Sequence, residues 1–368
     1  MSTLIQSRSR KHIDWILLGI VTMLVAIGFI NLYSASVADG AQHHVRQLMW
    51  IVLGVVTAAL IGSQDYRLVA RIAYPSLLVG VGLLILVAVA GTSINGSKRW
   101  IAFGDFSVQP SEFLKIAVVL VTAKYFSDHE RPEGRTLRDL VRPAALVMIP
   151  SLLIINQPDL GTTLTLWLIF GTMCVFDRIR PSTTVLIIGS LLLALPLMWT
   201  FVMKDYQKDR VRAFLDPEAE LQGDAWQVRQ SRIAIGSGRI VGKGFLQGTQ
   251  VQGGFVPYHE NDFIFAHHGE QFGFLGSVLL LLLYTLLILW PLRIARFARD
   301  RFGALLCVGI SALFFWHVAV NLAMVMGWLP VVGLWLPFAS RGGTAMLTMM
   351  ICVGILFSVS QRRRQFNS

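Results

Sequence analysis

The residues best placed to do chemistry lie near the end of a long polar insertion, in the stretch GGFVPYHENDFIFAHHGEQFG (253–273). There Asp262 is followed directly by Phe263, Ile264 and Phe265. A carboxylate beside such neighbours is partly desolvated, which strengthens its hold on a proton and suits it to act as a general base. The same residue could instead cap the helix that follows. Cations able to meet an anionic group stand at Lys98 and Arg99, next to Trp100, and at Arg210 and Arg212. Glu112 and Lys115 are spaced i and i+3 and so share one face of a helix inside an apolar run. An ionisable residue there costs about 2.5–3.5 kcal/mol to insert, so the two either line a polar cavity or form an ion pair that merely lets the helix enter. Asp159, in NQPDLGTT (156–163), either caps the next helix through N–H groups near Thr162 or belongs to the site. A divalent cation, Mg2+ or Mn2+, could sit on Asp262 or Asp159, and the sequence does not choose between that and the basic residues.

Two other patterns are weighed and set aside. His259, His267 and His268 with Glu270 do not reproduce HExxH, so they are expected to be interfacial side chains and not zinc ligands. The glycines from Gly236 to Gly254 lack the strand, helix and lysine spacing of a nucleotide-binding loop. They are expected to form an irregular or re-entrant excursion whose main-chain N–H groups are free for an anion.

The elements that must position these residues are apolar helices. Of 368 residues 54% are hydrophobic and 14% charged, and mean hydropathy is +0.61; a soluble domain carries about 25% charged residues. The expected fold is all-α and membrane-integral, one polytopic domain over 1–368. Ten spans are expected, at about 15–34, 47–63, 72–90, 110–126, 141–156, 161–177, 182–203, 271–292, 303–326 and 342–360. A large extracytoplasmic loop, 204–270, falls between the seventh and eighth. A small hairpin is expected around Gly104 and Asp105, where RWIAF and FSV alternate. Pro110 then opens a helix at a position where its missing N–H costs nothing. The three cysteines, Cys174, Cys307 and Cys352, all fall in apolar runs and suit neither a disulfide nor a metal site.

Lys and Arg set the orientation. Of 32 in the chain, 19 fall on one side of the expected spans and only four on the other side's short loops; the long loop is largely exempt from the positive-inside rule. Both termini are therefore expected in the cytoplasm, with the 204–270 loop on the outer face of the membrane. The formal net charge of +11 is spread through short loops and not gathered on one patch, which argues against nucleic acid.

The series KRWI (98–101), QPSEFLK (109–115), NQPDLGTT (156–163), FLDPE (214–218), QSRIAIGSG (230–238), GKGFLQGTQ (242–250), NDFIF (261–265), GEQFGFLG (269–276) and LPVVGLWLPFASRGG (329–343) resembles the SEDS family (shape, elongation, division, sporulation). The matches run in order over nearly the whole chain, and its length and short N-terminal tail look like those of elongation-type members. The resemblance implies a ten-helix peptidoglycan glycosyltransferase that polymerises lipid II in cell elongation, partnered by a class B penicillin-binding protein. It implies that Asp262 is the essential aspartate, that Arg99 and Trp100 form the tryptophan motif, and that Glu112 and Lys115 are the intramembrane pair. Ser340 opens a further motif. Three positions depart from the pattern: Asn261 where threonine is usual, Gln271 where glutamate is usual, and Arg341 where tyrosine is usual. With an activated lipid-diphosphate sugar as donor, one base and cations for the leaving group suffice. A flippase for the same lipid-linked precursor, or a scaffold that recruits cell-wall enzymes, are the other classes in view.

Overall fold

The computed structural model describes residues 13–362 except 39, 41, 95–96, 105 and 217–222. Arg8, Arg10, Lys11, Arg363 and Arg364 of the expected basic termini lie outside the described residues, as do Asp105 of the expected turn and Pro217 and Glu218 of FLDPE. The chain forms α1 (Trp15–Ala38), α2 (His43–Ser63), α3 (Tyr66–Ala90), β1 (Thr92–Ile94), β2 (Ser97–Phe103), β3 (Phe106–Val108), α4 (Pro110–Asp128), α5 (Leu137–Asn156) and α6 (Leu160–Phe176). It continues as α7 (Pro181–Leu197) with a π-helical turn (Met198–Val202), α8 (Asp205–Leu215), α9 (Asp224–Ser237), α10 (Thr249–Gln252), α11 (Ile264–Arg296), α12 (Arg301–Val325) and α13 (Gly343–Gln361). Helix is the only way an apolar run can satisfy its own backbone in hydrocarbon without closing a barrel.

Among the described residues eight helices are long and apolar enough to cross a bilayer, namely α1, α2, α3, α5, α7 with its π turn, α11, α12 and α13. The other two expected spans form helices that are more charged or shorter than these. The α4 helix carries Glu112, Lys115, Lys124 and Asp128, and the apolar α6 has 17 residues. Both pack against α12; α4 is buried over most of its length, and α6 leaves Leu164, Val175 and Phe176 exposed. In α12 and α13 78% of the most apolar stretch is buried, against 22% in α2 and 28% in α3, so the former form the centre and the latter the rim.

Successive helices bring their loops alternately to two ends of the bundle. One end is laced by charge. Arg135 and Arg301 both pair with the buried Asp177, Arg67 pairs with Asp300 at 3.3 Å, and Asp14 accepts from Trp290 (3.1 Å) and Ser360 (2.8 Å). The sheet, α8 to α10 and the 326–342 segment occupy the other. The expected hairpin is present, with Ile101 opposite Val108 and Phe103 opposite Phe106, and β1 adds a third strand with Thr92 opposite Trp100.

The polar insertion differs from a plain loop. It folds into α8, α9 and α10, and α11 starts at Ile264, several residues before the apolar run at 271. Polar residues follow in its first two turns, where Glu270 is paired with Lys243 and His268 with Asn31 inside the protein. The kink at Gly273 (φ +63°) then redirects the helix into the apolar run. All three cysteines are free and buried.

Candidate functional site

Asp262 sits in the turn before α11. Capping is not its role, since Phe263 holds the cap position and no side chain caps that end. Instead the turn is pinned from two sides. Asn321 of α12, fully buried, donates to the Asp262 carbonyl (2.7 Å) and to the Leu334 carbonyl (2.6 Å). Ser340 donates to the Asn261 carbonyl (2.6 Å) and accepts from the Leu336 N–H (2.8 Å). These bonds hold the turn by its backbone, and the Asp262 carboxylate makes no hydrogen bond or ion pair among the described residues. It lies deep in the protein yet keeps partial contact with solvent through a cleft beside Gly333. Burial raises its pKa to about 6; Arg210 and Arg99 pull it down and Asp159 pushes it up.

Those electrostatic neighbours are residues singled out from the sequence, gathered from three elements. Arg99 of β2 donates to the carbonyls of Gln157 (2.8 Å) and Pro158, and stands 3.9 Å from Asp159. Asp159 does cap α6, accepting from the Thr162 N–H at 3.1 Å, and also accepts from Thr162 Oγ1 (2.9 Å) and Gln109 (3.3 Å). The capping reading of Asp159 is met, and its charge also acts on Asp262. Arg210 of α8 donates to the Val331 carbonyl (2.9 Å) and pairs with Asp224 at 3.4 Å. Arg212 is not brought in: it points outward and pairs with Asp209 at 3.1 Å, because i and i+2 on a helix face apart. Lys98 is exposed on the sheet and Trp100 half-buried beside it.

Beneath the cleft, Glu112 and Lys115 form an ion pair of 2.7 Å with both side chains buried. They are not closed on each other. Lys115 also bonds His317 (3.1 Å), Trp335 donates to Glu112 (3.2 Å), and His317 bonds the Trp335 carbonyl (3.2 Å). Since Trp335 follows Leu334, which Asn321 ties to the Asp262 turn, the pair supports the floor of the same cleft. The other carboxylate oxygen of Glu112 is buried with no hydrogen-bond partner among the described residues.

The glycine-rich segment departs from expectation. Several of its N–H groups are engaged within the protein: those of Lys243 and Gly244 donate to the carbonyls of Glu270 and Gln271 (3.0 Å each), and those of Gln250 (2.8 Å) and Val251 (3.2 Å) donate to the Glu270 carboxylate. Lys243 pairs with that carboxylate at 2.6 Å. Gly242 (φ +82°) lies so close to Gln271 that a Cβ would collide with its carbonyl. The glycines are there for backbone contact with α11. The histidines are likewise not interfacial. His259, His267 and His268 are buried, His268 bonding Asn31 of α1 (3.0 Å).

The departures from the family pattern find partners too. The Asn261 carbonyl holds Ser340, Gln271 donates to Ser34 of α1, and Arg341 pairs with Glu260, which also meets His43 at 3.4 Å. The sequence reading missed Asn321, His317, Trp335 and Glu260. A polar Asn321 and His317 four residues apart in the apolar run of α12 were the available signal.

Among the described residues no three His, Cys, Asp or Glu side chains converge as metal ligands. Asp159 already accepts three bonds, so a hard cation on Asp159 or Asp262 would need further ligands from phosphate and water.

Compared with known proteins, the sequence model of the FtsW, RodA and SpoVE family, described as cell cycle protein, matches residues 14–365. The chain is 36% identical to the peptidoglycan glycosyltransferase MrdB of Escherichia coli K12 over 360 residues, covering 97% of this chain and 96% of that one. It is equally, 36%, identical to a probable peptidoglycan glycosyltransferase FtsW of Trichlorobacter lovleyi over 358 residues, 94% of this chain and 93% of that one. A solved structure described as the structural coordination of polymerization and crosslinking by a peptidoglycan synthase complex superimposes with a TM-score of 0.81 at 30% identity, covering 96% of this chain and 99% of that one.

Proposed function

The chain belongs to the FtsW, RodA and SpoVE family of cell cycle proteins, and we propose from that membership and from its site that it is a peptidoglycan glycosyltransferase that polymerises lipid II with Asp262 as general base. The observation that carries the reading is the Asp262 carboxylate, which makes no hydrogen bond or ion pair among the described residues; burial raises its pKa, and the charges of Arg210 and Arg99 act on it. In the step proposed, Asp262 takes the proton of the acceptor sugar's 4-hydroxyl. That oxygen bonds to C1 of the donor sugar as the bond to the lipid diphosphate breaks. Arg99 and Arg210 offset the charge of the departing diphosphate, and Lys98, nearer the surface, adds to the field it enters. A general base at this place contributes about 10²–10⁴-fold. A Mg2+ or Mn2+ shared by Asp159 or Asp262 and the diphosphate would supply further charge neutralisation.

Orientation follows the positive-inside count: ten crossings of the inner membrane, α4 and α6 included, both termini cytoplasmic and the cleft extracytoplasmic. Work in elongation and pairing with a class B penicillin-binding protein are supported by the likeness to MrdB and to a synthase complex that couples polymerisation with crosslinking. The direct test is purified protein, with its crosslinking partner added, given lipid II. Wild type should yield long glycan strands, and Asp262→Asn should lose at least about 100-fold in rate while keeping its melting temperature. Normal polymerisation by the variant removes Asp262 as the base; precursor crossing liposomes with no polymer formed points to transport instead.

A further inference from the structure

Arg210 faces a second space besides the Asp262 cleft. A cavity of about 600 Å³ opens between α8, α9 and residues 327–331, and Arg210, Arg229 and Arg232 line it together with Phe214, Val228 and Leu329. We propose that this cavity is a second anion subsite, one that takes a lipid-borne phosphate group, with the guanidinium groups on the phosphate and the apolar wall along the first carbons of the lipid. The proposal rests on the glycosyltransferase reading of the neighbouring cleft for its purpose, though not for its existence.

Three features carry it. The first is charge. Arg229 and Arg232 stand i and i+3 on α9, so they share a face, and like charges so placed repel. Among the described residues neither makes a hydrogen bond or ion pair, and the one carboxylate lining the space, Asp224, is engaged with Arg210. Guanidinium forks match phosphate oxygens two at a time. The second is construction. The α9 helix is fixed to the end of α12 by Ser231, buried and donating to the Val325 carbonyl at 2.5 Å. Gly327 (φ +74°) lets the chain turn tightly beneath it, and a Cβ there would stand 3.0 Å from Val228 and 3.5 Å from the Arg232 side chain. The volume falls in the range of small-molecule sites. The third is position. Arg210 is bonded to Val331, and Gly333, two residues on, borders the Asp262 carboxylate, so cavity and cleft lie against one short segment with Arg210 common to both. Joining two lipid-linked sugars brings two diphosphates to one base. Arg99 and Arg210 meet the departing one beside Asp262, and Arg229 and Arg232, on the far side of Arg210, provide a place for the other.

Lipid-borne phosphate has two sources in a membrane, an isoprenoid diphosphate and a phospholipid headgroup, and the test separates them. The full chain in nanodiscs of phosphatidylcholine is offered farnesyl diphosphate, and native mass spectrometry counts the molecules bound. The Arg229→Gln/Arg232→Gln protein should bind one fewer than wild type, with at least tenfold weaker uptake at the lost site, and inorganic diphosphate should compete at least tenfold less well. Equal binding numbers in the two proteins, or inorganic diphosphate competing as well as farnesyl diphosphate, overturns the proposal. Failure of phosphatidylglycerol to displace the probe supports the isoprenoid source, and displacement supports the subsite with a phospholipid as its occupant. Should the double variant not fold, Leu329→Glu places a carboxylate at the rim and should likewise remove one bound molecule; no change sinks the idea. The same count on Asp262→Asn is expected to equal that of wild type. A fault in the general-base reading would appear in polymerisation, and a fault here in the number bound.

Discussion

At the scale of single residues, the site depends on one carboxylate that the fold declines to pair. The Asp262 side chain is held near hydrocarbon-like neighbours, and its pKa stands at about 6, above its ordinary value of 3.8. Only the ionised form can accept a proton. Polymerisation at limiting substrate should therefore fall about tenfold per pH unit below about 6 and level off above it, as an initial-rate profile from pH 4.5 to 7.5 would register. Stability carries the opposite sign. The folded state binds this proton more tightly than the unfolded one, so the group's contribution weakens as pH rises from about 4 to about 6, and Asp262→Asn should melt no lower than wild type at neutral pH. Asn321 is the complementary case. Asn321→Ala leaves the buried carbonyls of Asp262 and Leu334 without their donor, which costs about 1–3 kcal/mol and should appear as a lower melting temperature together with slower polymerisation.

At the scale of elements, the charged face of α4 illustrates how a costly feature is accommodated. Glu112 and Lys115 lie in a helix whose neighbours are α3, α6, α12 and α13, with His317 and Trp335 completing their hydrogen bonds. Removing one charge strands the other, a loss of about 3–5 kcal/mol, so Glu112→Leu or Lys115→Met alone should reduce the yield of folded protein sharply. The double change restores charge balance but leaves His317 and Trp335 with lost partners. It should recover much of the thermal stability and not the full rate; full recovery of rate would reduce the pair to a device for inserting α4. The glycine-rich segment is the other instructive element. Glu270 gathers Lys243 and the N–H groups of Gln250 and Val251, binding the insertion to α11.

At the scale of the whole molecule, the two ends of the bundle differ in kind. One is laced by ion pairs centred on Asp177; the other carries the sheet, the short helices and both arginine-lined spaces. The orientation proposed from charge can be read with a membrane-impermeant maleimide, since the native cysteines are buried. Lys98→Cys should label in intact spheroplasts and Glu133→Cys only after lysis. The reverse pattern would put the site on the cytoplasmic face, where an external strand could not be built.

The sequence by itself determined the apolar helical class, the charge asymmetry and the presence of Asp262, Asp159, Arg99 and Arg210 in ordered motifs, because hydrophobic runs, caps and charge counts are local properties of a chain. It could not tell that Arg212 faces away and Arg210 inward, that the glycines serve backbone contact with α11, or that Asn321 and Ser340 hold the Asp262 turn. Those outcomes depend on which surfaces meet across hundreds of residues. A helix face, a free N–H or a lone carboxylate acquires its role only when packing decides what stands opposite it.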